Sequence, residues 1–257
     1  MDDIVIVGPV DVEAELDALA RRYSAASGAG VRMLTMLGGK AETLLDRLPP
    51  EVQSGLEAAT QRALQGAMRA ADGSRRVVPD QADWINRAAA TAMGAAGGFA
   101  GLPGALVELP ATTAMLLRAI QGVARQYGFD PGSESVQFDC MRVFAASGPL
   151  TTDDGADLAF LSLRLTLTGG AMQRMIATVA PRLATVLGQK LAAQTVPVLG
   201  AMAGAGTNLI YAQYYQQIAH VQFGLRRLAI DADLPHEDLT RRLVARMQGR
   251  VDGAAPS

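Results

Sequence analysis

The alternation of apolar and polar positions follows a helical period along most of the chain. In "VEAELDALARRYSAAS" Val12, Leu16, Leu19 and Tyr23 recur at alternating steps of four and three, which places them on one side of a helix. The segment from Val31 to Leu48 repeats the pattern through Leu34, Leu37, Leu44 and Leu45 and stops at Pro49-Pro50, so a second helix is expected there. From Glu51 to Ala71 the apolar stripe is Val52, Leu56, Ala59, Ala63, Ala67 and Ala70, with charges opposite, the pattern of an amphipathic surface helix. Asp72 to Gln81 then combines turn formers, a basic pair and Pro79, and marks the best internal boundary.

Beyond that boundary the pattern changes. Neither Ala88–Val107 nor Leu191–Leu225 contains a formal charge, counting His220 as neutral. The two regions also align, Gly104 with Gly200, Leu116 with Ala212, Gln126 with Gln222, Tyr127 with Phe223 and Gly128 with Gly224. Either an internal repeat or a shared Ala-rich composition accounts for this. Each unit reads as a Gly-rich opening, a break and a long helix closing on aromatic-Gly. In the first unit the break falls at Leu102-Pro103-Gly104, and Pro110 opens a helix from Ala111 to Tyr127. "SESVQFDCMRVFAAS" reads as a helix capped by Ser133 or Ser135, and the next helix runs from a cap at Thr152 to Asp154 as far as Gly169-Gly170. Pro181 suits the first position of a helix reaching about Gln194, and "LPHEDLTRRLVARMQGRV" is a polar amphipathic helix before a frayed tail. Only Ile4 to Val7 and Leu161 to Leu167 offer any case for a strand, and the second fits a helix in context. The expected fold is an all-α multi-helix bundle with two Gly/Ala-rich helical hairpin units. Its parts are an N-terminal helical layer over 1–72, a helical core over 82–230 and a C-terminal helix and tail over 231–257, in one compact domain.

Composition sharpens this picture. Of the 257 residues 49% are hydrophobic but only 5% aromatic, so the core is built from small side chains and close backbones. A net charge of -2 gives no general attraction to nucleic acid. Cys140 is the only cysteine, which excludes an internal disulfide or a thiolate metal cage within one chain. The start, "MDDIVIVGPVDVEAELD", lacks the basic opening and long apolar centre of a secretory signal, and the cytoplasm is the expected compartment. Small residues four apart, Gly94 with Gly98, Gly97 with Gly101 and Gly200 with Gly204, make grooves for close helix packing in membranes and in Ala-rich cores alike. Crossing a bilayer takes roughly 20 predominantly apolar residues, and insertion depends on Leu, Ile, Phe and Val. Ala88–Val107 holds only Phe99, Leu102, Leu106 and Val107 from that set, and the second region carries Asn208, Gln213, Gln216, Gln217 and His220. Spanning, peripheral membrane contact and an internal core all stay open, the first as the weakest.

"WINRAAATAMGAAGGFAGLPGALVELPATTAMLLRAIQGVARQYGFDP", with "DCMRVFAASGPL" and "GQKLAAQTVPVLGAMAGAGTNLIYAQYYQQIAHVQFGLRRL", resembles the EcsC family of bacteria. The specific pieces are Gly101-Leu102-Pro103-Gly104, Glu108-Leu109-Pro110, Thr112-Thr113 with Leu117-Arg118, Asp139-Cys140, Val196 to Gly200 and Arg226-Arg227-Leu228, and the resemblance covers about Leu16 to Leu228. It implies an intracellular protein linked to the membrane, since the family is named for a gene beside an ABC-type transport system. It carries no catalytic residues across.

Candidate sites therefore come from chemistry and position. Glu108 is a lone carboxylate between apolar residues, and burying one is costly unless it is paired, protonated or near helix N-terminal amides. Beside a helix opened by Pro110 it lies near the positive end, with Thr112 and Thr113 in the first turn. The group reads as a capping and hinge device or as a cluster gripping a ligand. Arg118, followed by Gln121 and Arg125, reads as a donor to an anionic headgroup or as an ion-pair partner of Asp139 or Glu108. Tyr211, Tyr214, Tyr215, His220 and Phe223 read as packing, or as a polar cavity near an interface. Cys140 fits a buried thiol, and Asp153, Asp154 and Asp157 fit helix capping better than a cation site. Phosphate loops, dinucleotide fingerprints, zinc-protease helices and serine elbows are missing from the sequence.

The expected ligand-binding residues are Glu108, Thr112, Thr113, Arg118, Asn208, Tyr211, Tyr215 and His220, with no catalytic residue, metal or cofactor assigned. The expected function is a non-enzymatic helical protein, peripheral on the inner face of the membrane, that binds membrane lipid or a membrane transporter through its hairpins. Self-association is left open and nucleic acid is not expected as a partner. The alternatives are a soluble module with an apolar pocket for a lipid-like ligand, lined by Glu108, Thr112, Tyr211 and Tyr215, and a carboxylate-dependent hydrolase.

Overall fold

A computed structural model describes residues 10–36, 45–75, 101–146, 148, 161, 170–194 and 200–253; for 27–36, 47, 69–75, 101–109, 193–194, 200–207 and 249–253 it describes the backbone alone. The described elements are helices: α1 (Val12–Met36), a 3-10 turn (Leu45–Arg47), α2 (Pro50–Arg75), α3 (Gly101–Gln126), α4 (Glu134–Val143), α5 (Ala171–Gln194), α6 (Gly200–Asp231) and α7 (His236–Gly253). No strand occurs among the described residues. The chain is an all-α helical bundle.

Local chemistry sets the helix ends. The Asp11 carboxylate accepts from the amides of Glu13 and Ala14, both at 3.1 Å, and so caps α1. Pro50 opens α2, where its missing N–H costs nothing. Gly128 has φ +79, and bonds from Phe129 N to Ala124 O (3.0 Å) and from Gly128 N to Arg125 O (2.9 Å) close α3 in a Schellman motif. Ser133 takes the N-cap position of α4, as expected, but its hydroxyl bonds the Asp130 carbonyl at 2.8 Å rather than a helix amide.

Several expected breaks are absent. The helix read as ending near Ser27 continues through Gly28 and Gly30 to Met36. Glycine costs a helix interior about 1 kcal/mol, too little to stop a run of good formers. The junction expected at Pro103-Gly104 falls inside the first turn of α3, where a proline nitrogen breaks no helical bond, and Pro110 lies within the helix rather than at its start. Pro181 likewise lies inside α5. Both interior rings are exposed, clear of the core. Phe223-Gly224, aligned with the end of α3, is interior to α6. The strand candidate Ile4 to Val7, the first hairpin's other arm over 82–100 and the loop holding Asp153, Asp154 and Asp157 lie outside the described residues.

Packing centres on α6, which touches α1, α3, α4, α5 and α7. On one side α1 presents Leu16, Leu19, Ala20, Tyr23 and Ala26, all buried, and α7 adds Leu239, Leu243 and Met247. On the other, α3 and α5 bury Leu117, Ile120, Val123, Leu183 and Leu187, and α2 covers them with Leu56, Ala63, Leu64 and Ala67. Among the described residues α1 packs on α6 and α7, and α2 on α3 and α5. Among the described residues no helix is long and apolar enough to cross a membrane.

Gly224 shows how closely α1 approaches α6: a Cβ there would lie 2.7 Å from Leu19 Cδ2 and 3.3 Å from the Tyr127 hydroxyl. Gly224→Val should therefore destabilise the fold by about 1–3 kcal/mol through overpacking. Gly55 in α2 has nothing within 4 Å of such a Cβ, and Gly55→Ala should stabilise by about 0.5–1 kcal/mol. Urea unfolding midpoints moving in opposite directions are the expected result; an unchanged Gly224→Val midpoint would contradict the close approach.

Candidate functional site

Where α6 leaves the core, its first charged residue meets a buried carboxylate. The apolar stripe of α4 turns Val136, Cys140 and Val143 inward and carries Asp139 with it, leaving Asp139 only 7% exposed. Its Oδ1 accepts from Arg142 Nη1 at 3.3 Å and from Gln222 Nε2 at 3.2 Å, and its Oδ2 accepts from Arg226 Nη1. Arg226 also reaches Ser135 Oγ at 3.4 Å and lies 4.6 Å above the Phe129 ring, a cation–π contact. Breaking a pair of this kind leaves a charge with little water to answer it, so the cluster ties α4 to α6.

An open cavity of about 480 Å³ lies over this cluster, lined by Ser135, Phe138, Asp139, Arg142, Gln222, Arg226, Ala229, Ile230 and His236. His236 begins α7 and is half-buried. Burial pushes its pKa below the usual 6.5; Asp139 pulls it up, Arg142 and Arg226 push it down, and Glu237 pulls it up. The imidazole is therefore neutral at pH 7. The lining pairs two guanidiniums and an amide with an apolar wall ending at Ile230, which is 57% exposed.

A model of the EcsC protein family matches residues 31–228, from within α1 to Leu228 in α6. The chain belongs to the EcsC protein family. Comparison with curated proteins and with solved structures finds no match. Two of the pieces that carried the resemblance, Asp139-Cys140 and Arg226-Arg227-Leu228, come together in this cluster of the EcsC-family chain, joined by the Asp139–Arg226 pair.

The residues singled out in the sequence are distributed differently. Glu108 lies on the α3 backbone, with its side chain outside the described residues. Thr112, Thr113 and Asn208 are buried, and Arg118 is half-buried. Of the two partners expected for Arg118, Asp139 is held by Arg142 and Arg226, and the Glu108 side chain lies outside the described residues. Tyr211 and Tyr215, one turn apart on α6, are fully buried: Tyr211 donates to Val186 O at 3.2 Å, and Tyr215 packs edge-on to Phe144 at 5.2 Å. Burial raises both pKa values, with the Tyr215 group adding to the rise at Tyr211. His220 lies apart, edge-on to Tyr127 at 5.7 Å, with Nδ1 3.4 Å from its hydroxyl. Cys140 is buried as expected.

Sequence reasoning missed Ser135, Arg142, Gln222, Arg226 and His236 as one site. The signals were an acid and a base three apart, Asp139 and Arg142, and an amide and a base four apart, Gln222 and Arg226, each on one helical face. Nothing in the sequence placed the two pairs together.

The depressed His236 pKa sets a pH dependence. Below about 6.5 the unfolded chain binds a proton that the folded chain refuses, so the stability linked to this group is complete above that value. It is lost as pH falls toward the folded pKa. Thermal melts of the parent and His236→Gln between about pH 7.5 and about pH 5 should show the parent losing more stability on acidification. Parallel curves would exclude the linkage.

Proposed function

We propose that this EcsC-family chain is a non-enzymatic helical protein that associates peripherally with anionic membrane lipid. The observation that carries the reading is the surface cavity: two guanidiniums hold one carboxylate beside an apolar wall that ends in exposed Ile230. Guanidinium groups suit the paired oxygens of phosphate and carboxylate headgroups, and an adjoining apolar wall suits the first part of an acyl chain. A peripheral mode is favoured over a spanning one because the uncharged stretch through α6 is turned inward: between Asn208 and Leu225 only Gln213 is exposed. On this reading the chain acts at the inner face of the membrane, where a transport protein is a further partner. The hairpin-like pairing of α5 with α6 then serves as scaffold rather than as anchor.

Co-sedimentation with phosphatidylcholine vesicles, with and without phosphatidylglycerol, tests this. The chain should pellet with the anionic vesicles, lose much of that binding at high salt, and stay in solution with the neutral ones. Retention in the supernatant with both vesicle types would exclude membrane association.

A further inference from the structure

The cavity bounded by α4, α6 and the start of α7 holds more cation than its own residues neutralise. Arg142 and Arg226 share one buried carboxylate, Asp139. His236 adds no charge at neutral pH, and Glu237 beside it is exposed to solvent. Asp139, already neutralised from both sides, offers little repulsion to a second anion.

Both guanidiniums are fixed before any ligand arrives. Arg226 is held by Asp139, Ser135 and the Phe129 face, and Arg142 by Asp139 one turn away on α4. A fixed fork loses little freedom on taking a further anion. Gln222, 1% exposed, gives its amide hydrogen to Asp139 and is the third donor to that carboxylate.

The cavity thus offers fixed donors with surplus positive charge and a wall of Phe138, Ala229 and Ile230. A phosphate monoester, mostly dianionic at neutral pH, presents more charge and more acceptor oxygens to the two guanidiniums than a carboxylate does. The volume, about 480 Å³, is within the usual range for small-molecule sites.

We propose that this cavity binds the phosphate monoester of an amphiphile, its charged oxygens on Arg142 and Arg226 and its alkyl portion along Phe138 and Ile230. The identity of that amphiphile as a membrane lipid rests on the membrane reading above; the phosphate chemistry does not.

Titration calorimetry of the full chain with hexyl phosphate should give saturable binding of one ligand per chain. Hexanol should give none. Arg142→Gln and Arg226→Gln should each weaken hexyl phosphate by roughly tenfold or more. Ile230→Ser, at an exposed position, should weaken hexyl phosphate while leaving the affinity for inorganic phosphate unchanged. Circular dichroism establishes that each variant is folded; if Arg226→Gln unfolds, Arg142→Gln and Ile230→Ser decide. Absence of saturable hexyl phosphate binding to the parent, or equal binding by folded Arg142→Gln, overturns the proposal. Vesicles of phosphatidylcholine with phosphatidic acid separate the two sources. If the parent binds hexyl phosphate but not these vesicles, the cavity assignment stands with a soluble ester as ligand and the membrane reading fails. If the vesicles capture parent and Arg142→Gln equally, the membrane reading stands and the cavity assignment fails.

Discussion

The enclosure of α6 by five other helices is the constraint on which the rest depends. A helix covered on nearly every side has no solvent face on which to carry charge, and its apolar residues need not gather into one stripe. From Gly200 to Leu225 the helix accordingly holds no formal charge, and its buried polar side chains between Asn208 and Leu225 are amides and phenols rather than ions. The same enclosure limits side-chain size. Gly224 leaves room for the Leu19 side chain of α1, whose Cδ2 would lie 2.7 Å from a Cβ there.

Charge returns to α6 only where the helix emerges, at Arg226, Arg227 and Asp231. Arg227 and Asp231 pair with each other at 2.8 Å in a largely wet setting, where such a pair contributes little. Arg226 turns back toward the core and meets Asp139. The cluster is therefore a boundary feature. Deeper in the bundle a guanidinium would find no water; further out, Asp139 would not need it. An open cavity at such a boundary combines partly dehydrated cations with apolar side chains, and that combination gives an anion-binding site its strength.

Much of the fold was legible because helical periodicity reports burial directly. The stripes of α1 and α2, read as Val12, Leu16, Leu19 and Tyr23 and as Val52, Leu56, Ala63 and Ala67, are the faces the bundle buries or half-buries. Helix ends were less legible. Pro103, Pro110 and Pro181 each satisfy a rule for helix starts, but the rule describes where proline is tolerated, and an exposed interior ring is tolerated as well once tertiary packing holds the helix. The aligned glycines misled in the same way: Gly128 ends α3 through a positive φ, whereas Gly224 serves close packing within α6. The site was least legible. Arg226 stood out only as a piece of a family resemblance, and Asp139 there and as a possible partner of Arg118; a pair 87 residues apart leaves no periodic trace in sequence.

The enclosed core carries further polar groups whose presence has an energetic meaning. Both amide atoms of Gln121, the Gln189 Oε1 and the Tyr215 hydroxyl are buried with no partner among the described residues. Each such atom costs about 1–3 kcal/mol if left dry. A bundle that accepts these costs gains correspondingly from whatever fixes its helices to one another, and the Asp139 cluster does so for α4 and α6 with His236 of α7 at its rim. A ligand seated on Arg142 and Arg226 would bridge α4 and α6 at their common boundary. Because it binds the folded arrangement alone, it would stabilise the bundle by mass action, by about 2.7 kcal/mol at a hundredfold excess over its dissociation constant. Occupancy of the cavity and rigidity of the helix junction are therefore two aspects of one equilibrium.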